Sequence, residues 1–209
     1  MDKESLHKEE LKLIGYAQKC DLDAFNRLVL NYQELVYNQA VRIIGDVEAA
    51  QDATQEAFIS AYRNIKNFRG GSYRAWLLRI VTNACYDELR RRRRHPSTPL
   101  EPQDDDGGEI ESPEWIIDPG DQPESRTERK ELECAIQHCL DELPFEFREV
   151  VVLVDVQGLD YAEAAQASGR PLGTIKSRLA RARDRLRDCL KGFGELLPWE
   201  FRLENEEIE

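Results

Sequence analysis

Two stretches of this chain carry basic side chains at spacings suited to nucleic acid. In one, Tyr161-Ala162-Glu163-Ala164-Ala165-Gln166-Ala167-Ser168-Gly169 runs into Arg170-Pro171-Leu172-Gly173-Thr174-Ile175-Lys176-Ser177-Arg178-Leu179. Small residues let two helices cross closely and Gly169 permits the sharp turn between them, a combination that suits a helix-turn-helix. Ile175, Leu179, Ala182, Leu186 and Leu190 then mark an inward stripe, while Lys176, Ser177, Arg178, Arg181, Arg183, Arg185 and Arg187 populate the remaining faces. Thr174 or its neighbour is placed to cap the second helix. Cationic donors just inside a helix N-terminus can reach base edges in the major groove and the flanking phosphates. The plain alternative is a solvated helix with basic decoration, but small residues, turn, cap and stripe all agree on DNA recognition.

The other stretch is Arg90-Arg91-Arg92-Arg93-Arg94, which continues a segment holding Trp76, Arg79 and Asn83. Five consecutive arginines cannot all point one way on a helix, so contact with the phosphate backbone is their sensible role. Just upstream, Phe68, Arg69, Tyr73 and Arg74 interleave rings with cations, which is what an unstacked base needs: a surface to lie on and charge for its phosphates. Trp76 by itself reads as a core residue.

Other chemistry is poorly served. Cys134, His138 and Cys139 could be offered to a metal, but structural zinc sites require four ligands and Cys139 falls beside the Leu132, Ile136, Leu140 stripe. No phosphate loop, nucleophile elbow or paired carboxylates stand out, so neither catalysis nor a cofactor is expected. The five cysteines are odd in number and scattered, which fits buried or free thiols better than a disulfide framework.

The elements that must position these residues are helical, and the fold class expected is all-α. Phe25, Leu28, Val29, Tyr32, Leu35 and Val36 follow one helical stripe that stops at Gly45-Asp46. The next segment sets Ala50, Ala53, Ala57, Ala61 and Ile65 on one side, with Asp52, Gln55, Glu56 and Arg63 on a polar side. Asn67 to Ser72 reads as a loop, and a further helix runs from about Tyr73 into the arginine run. Residues 96–126 are rich in proline and acid, an extended or flexible linker with Trp115-Ile116-Ile117 as its apolar cluster. The helical period returns from Thr127: Leu132, Ile136, Leu140 and Leu143 precede Pro144, and the Val-rich segment Arg148 to Val156 reads as helix despite its strand propensity. Two small helical domains therefore emerge, residues 1–95 and 127–191, followed by an acidic and aromatic extension, 192–209. About 30 extended residues reach roughly 100 Å, and two turns of duplex span about 70 Å, so one molecule can seat both domains on one DNA.

The net charge of −12 argues at first against a partner made of phosphates. Its distribution reverses that. Residues 24–95 carry +5 and residues 170–191 carry +6, whereas residues 96–125 carry −10 with no Lys or Arg. Two basic patches are joined and followed by acidic tethers. The N-terminus lacks the apolar core of a signal peptide and no window is apolar enough to span a bilayer, so no membrane insertion and a cytoplasmic location are expected.

In the order Asp52-Ala-Thr-Gln55-Glu56-Ala-Phe58, then Ala75-Trp76-Leu77-Leu78-Arg79-Ile80-Val-Thr-Asn83, then Leu172-Gly173-Thr174-Ile175-Lys176-Ser177-Arg178-Leu179, the chain resembles bacterial sigma factors of the extracytoplasmic-function type. The resemblance covers residues 20–95 and 127–190. It implies binding to core RNA polymerase, promoter recognition and duplex melting, with the first domain on the −10 element and the second on the −35 element. Asp52, Gln55 and Glu56 match the face that docks on the polymerase. Phe68, Arg69 and Arg74 match the loop that captures a flipped −10 base, with Arg79, Asn83, Arg90 and Arg91 on the supporting helix. Thr174, Lys176, Ser177, Arg178 and Arg181 match the −35 reading helix, and Arg148 a backbone contact. The acidic linker matches the segment that threads the polymerase channel, and an anti-sigma factor is an expected partner.

The chain departs from that pattern where Ala164 and Ser168 replace larger aliphatics and Arg170 stands where an apolar residue is common. Each missing aliphatic forfeits roughly 1.5–3 kcal/mol of burial, which would leave the second domain less stable alone. Leu196, Leu197, Trp199 and Phe201 in the extension could fold back on the basic helix or dock on a partner. A transcriptional regulator acting without polymerase is the competing reading, and it leaves the Asp52 face and the long linker unexplained.

Overall fold

The computed structural model describes residues 3–94 and 123–197. The linker with Trp115, and Trp199 and Phe201 of the extension, lie outside the described residues.

Among the described residues the regular structure is helical. The N-terminal group comprises α1 (Lys3–Ala17), α2 (Leu22–Ile44), α3 (Val47–Asn64), a 3-10 turn (Ile65–Asn67) and α4 (Tyr73–Arg94). Asp21 caps α2 through the Ala24 amide, and Gly45, in the left-handed region at φ 78°, ends it. Asp46 then caps α3 through the Ala49 amide. The alanine stripe of α3 is buried as its spacing requires, with Ala50, Ala57 and Ala61 fully inaccessible. Gln39 of α2 donates to the Thr82 hydroxyl of α4 inside this core. The helix α1 was not legible from periodicity, since it buries little more than Leu13, Ile14 and Ala17 near its end.

The C-terminal group comprises α5 (Pro123–Asp141), α6 (Phe145–Val151), a π-helical turn (Val152–Val156), α7 (Tyr161–Ser168) and α8 (Leu172–Leu190). The Val-rich segment is thus helical, with Val150, Val152 and Leu153 buried. Asp160 and Glu163 form a reciprocal capping box at the start of α7. Gly169, at φ 64°, makes the turn into α8. The cap expected from Thr174 or its neighbour is not there: α8 begins at Leu172 behind Pro171, without a side-chain cap, so Thr174 already lies within the helix.

One correction concerns the cysteines. Cys139 and Cys189 are bonded to each other, while Cys20 and Cys134 are exposed thiols and Cys85 is a buried one. Cys139 is therefore not available beside His138 and Cys134.

The two groups pack on each other. α7 lies on α4, and α5 and α6 reach α2. Ala164 and Ala167 are buried, so the small residue at 164 stands at an enclosed position although a larger aliphatic was expected there. α7 is in contact with α4 as well as with α8 of its own group.

Candidate nucleic-acid interface

The reading helix α8 offers a solvent-facing surface. Lys176, Ser177 and Arg181 are exposed, and Thr174 is half-buried. The ammonium of Lys176 lies 5.9 Å from the Tyr161 ring centre. The Ser177 hydroxyl donates to the Thr174 carbonyl at 3.1 Å. Arg178 differs: it is half-buried, and its Nη1 is inaccessible with no hydrogen-bond partner. Below it, α6 holds Glu149, whose carboxyl is pushed up to about 7 by burial, with Arg170 and Arg178 opposing the shift. Further along α8, Arg183 makes a two-pronged ion pair with Asp155 at 2.5 and 3.0 Å, and Arg185 stacks over Phe147 at 4.9 Å. These two arginines hold α8 to α6 and to the π-helical turn, and the first two turns of α8 keep Lys176, Ser177 and Arg181 exposed.

On the N-terminal group, Asp52, Gln55 and Glu56 lie together on the exposed face of α3, opposite its alanine stripe. Arg69, Arg79, Asn83, Arg90 and Arg91 are exposed as well. The arginine run divides its work: Arg91 pairs with Glu88 at 2.7 Å, and Arg92 bridges Glu88 and the α3 cap Asp46.

Three expected DNA contacts are engaged elsewhere in this structure. Phe68 is only 7% exposed, its ring packed against Tyr73 and Trp76 with centres 5.7 and 5.4 Å apart. The expectation that its ring lies open to a base is therefore corrected: it belongs to an aromatic core cluster. Arg74 donates to the Gln157 carbonyl, across the contact between the groups. Arg148 is 8% exposed and does not face outward for a phosphate. Its Nη1 donates to the Ile43 carbonyl at 2.6 Å and to Asp141 Oδ1 at 2.8 Å. Its Nη2 donates to the carbonyls of Asp141 and Leu143 at 2.6 and 3.3 Å. One guanidinium thus caps the C-terminal ends of α2 and α5, where helices leave carbonyls unpaired. Burial pulls the Arg148 pKa below the usual arginine range, and burial also keeps the Asp141 carboxyl above its own despite that cation.

The rest of the contact follows the same line. Arg42 donates to Gln137 at 3.3 Å, and the Gln157 amide donates to the Leu35 carbonyl at 3.4 Å. Tyr86 packs edge-on to Phe145 at 5.1 Å. The Arg79 guanidinium stands 3.4 Å from where a Cβ at Gly169 would be, and a Cβ at Gly45 would meet Asp141 Oδ2 at 2.7 Å. α7 therefore covers part of the very helix, α4, that carries the −10 candidates. Sequence reasoning missed Asp141, Gln157, Glu149 and the Cys139–Cys189 pair. Only the Asp160/Glu163 box had a readable signal.

A helix-turn-helix group with an exposed cationic reading helix, joined by an acidic segment to a helical group with a second basic helix, defines a DNA-binding protein of the sigma class. Family profiles agree: "Sigma-70 region 2" matches residues 28–95 and "Sigma-70, region 4" matches residues 135–186. The chain is 38% identical over 169 residues to the ECF RNA polymerase sigma factor SigE of Mycolicibacterium smegmatis, covering 81% of this chain but 62% of that relative. It is 34% identical to the RNA polymerase sigma-H factor of Pseudomonas aeruginosa, covering 88% of this chain and 95% of the other. With SigW of Bacillus subtilis the identity is 34%, covering 86% and 96%. Among solved structures, CnrH in complex with the cytosolic domain of CnrY shares the fold at TM-score 0.62 and 24% identity, covering 88% of this chain and 98% of that one. The chain belongs to the extracytoplasmic-function RNA polymerase sigma factors, the family of non-catalytic proteins that direct polymerase to promoters for initiation. No helix among the described residues is long and apolar enough to cross a membrane.

Proposed function

We propose that residues 1–95 bind core RNA polymerase and the −10 element, that 127–191 read the −35 element, and that 96–126 tether them in the cytoplasm. The observation that carries this reading is the pairing of two separately exposed basic surfaces, on α4 and on the first turns of α8, within a chain of acidic total charge. Asp52, Gln55 and Glu56 supply a polar face for the polymerase, away from the alanine stripe that holds α3 to its neighbours. Arg69, Arg79 and Asn83 meet the melted −10 strand, and Arg90 and Arg91 its phosphates. Lys176, Ser177 and Arg181 contact −35 bases and backbone, with Arg178 held against α6 at their side.

The packing of α7 on α4 has a consequence for this activity. Arg74, and the Arg148 Nη1 that donates to Ile43, become available to nucleic acid only if the two groups separate, so the closed arrangement is a resting state and polymerase binding favours the open one. An anti-sigma factor would act by holding the closed state or covering α3; CnrH and the Bartonella quintana RpoE, both similar in fold, were solved in complex with CnrY and with the anti-sigma factor NepR. In vitro transcription with core polymerase on a promoter library tests the proposal. Initiation at defined start sites, lost on changing Asp52, Gln55 and Glu56 together, is the expected result. Absence of association with core, or initiation indifferent to those changes, would overturn it.

A further inference from the structure

Cys139 and Cys189 are joined with their Cα atoms 5.7 Å apart, across 50 residues of sequence. Cys139 is buried on α5, and Cys189 is half-buried in the last turn of α8. In the reducing compartment proposed above, a disulfide is as a rule transient, catalytic or sensing rather than a permanent staple.

Its neighbours show what the bond connects. Gln137 and Asp141 flank Cys139 on the last turns of α5. Gln137 accepts from Arg42 of α2, while Asp141 accepts from Arg148 and presses against Gly45 at the end of α2. Gln137 and Asp141, one turn apart, form the face of α5 that meets α2, and Cys139 lies on the opposite face, toward α8. Cys189 lies on the helix that presents Lys176, Ser177 and Arg181. The bond fixes α8 to α5, the helix whose other face receives α2, so the position of α5 for that contact depends on it.

We propose that Cys139 and Cys189 form a redox modification site, a dithiol–disulfide couple whose oxidised state favours the closed arrangement of the two groups and whose reduced state releases it. The oxidant class is a hydroperoxide. The Cys189 thiolate, on the more exposed residue, attacks the O–O bond; one oxygen joins the sulfur as a sulfenic acid and the other leaves as an alkoxide that takes up the thiol proton. The Cys139 thiolate then displaces hydroxide from that sulfur, forming the S–S bond, and the hydroxide leaves as water with the Cys139 proton. The two thiols supply the two electrons that cleave the peroxide. A dithiol reductant returns the pair by exchange through a mixed disulfide and departs as its own disulfide.

The test uses the full chain, reduced, treated with hydrogen peroxide, alkylated and mapped without reduction by mass spectrometry. Hydrogen exchange and core polymerase binding are read on the same samples. A peptide pair linked through Cys139 and Cys189 is expected, together with slower exchange at residues 73–79 and 161–168 where α4 meets α7. Association with core polymerase is expected to weaken at least about fivefold, a typical coupling between two sites. Dithiothreitol should reverse all three, Cys189→Ser should abolish them, and Cys134→Ser should leave them intact. Peroxide that modifies Cys20 or Cys134 without linking the pair overturns the proposal. So does a linked chain whose exchange and polymerase binding equal those of Cys189→Ser. Failure of the reduced chain to bind polymerase would instead overturn the domain roles above, while linkage and exchange still decide the redox couple.

Discussion

Replacing Arg148 with Met separates two incompatible roles for this residue. As a phosphate contact it would contribute to DNA affinity and little to folding. In the structure it donates to the carbonyls of Ile43, Asp141 and Leu143 and to the Asp141 carboxylate. Methionine fills much of the volume but donates nothing. The Asp141 side chain is 40% exposed, so water can replace its lost cation. The Ile43 and Leu143 residues are buried, and each carbonyl left without this partner costs roughly 1–3 kcal/mol. Removing one member of a buried ion pair costs about 3–5 kcal/mol, and the partial exposure of Asp141 places this case at the lower end, about 3 kcal/mol. Urea unfolding of Arg148→Met, reduced and at neutral pH, should show that loss, and Arg148→Lys should recover only part of it. A double-mutant cycle with Asp141→Asn should show strong coupling, since the two share one hydrogen-bond network. A variant that unfolds within about 0.5 kcal/mol of the parent, the ordinary range for surface changes, while losing DNA affinity and salt dependence, would refute the buried role.

Other expectations follow from the same geometry. Glu149 has a folded pKa raised from 4.5 to about 7; its contribution to stability is full below its unfolded value and lost as pH rises through 7. Glu149→Gln should flatten the fall in unfolding free energy between about pH 5 and about pH 8, by up to roughly 3 kcal/mol, and an unchanged slope would count against the burial argument. Ala164→Leu inserts bulk at a fully buried site of α7 and should destabilise the fold by about 1–3 kcal/mol, read by urea unfolding; unchanged stability would mean that the site has room for the larger side chain. Changing Lys176 and Arg181 to Ala should weaken and relax −35 discrimination in holoenzyme footprinting. Changing Arg90 and Arg91 should lower affinity with little sequence preference and reduce the salt slope by about two, and equal patterns for the two sets would contradict the division of labour.

The helical register was written locally, and so it could be read. The alanine stripe of α3, the stop at Gly45 with a new start at Asp46, and the turn at Gly169 depend on residue types within one or two turns of each other. The outward faces of α3 and the first turns of α8 follow from the same periodicity, so Asp52, Gln55, Glu56, Lys176, Ser177 and Arg181 were found where the spacing put them. The segregation of charge, which reverses what the acidic total suggests, is likewise a property of composition along the chain.

What the tertiary structure decided is which basic and aromatic residues face inward. Arg74 and Arg148 find backbone carbonyls more than 80 residues away, of Gln157 and Ile43. Carbonyls are the same at every position, so no side-chain pattern announces them as acceptors. Phe68 turned into an aromatic cluster because Tyr73 and Trp76 close over it. Ala164, which read as a deficit from the sequence, is fully buried in the assembled chain, and the Ser168 hydroxyl turns back to the Ala165 carbonyl. The pairing of Cys139 with Cys189 spans 50 residues and depends on how α5 crosses α8. Local periodicity specifies helices and their faces; which faces meet is a property of the assembled chain.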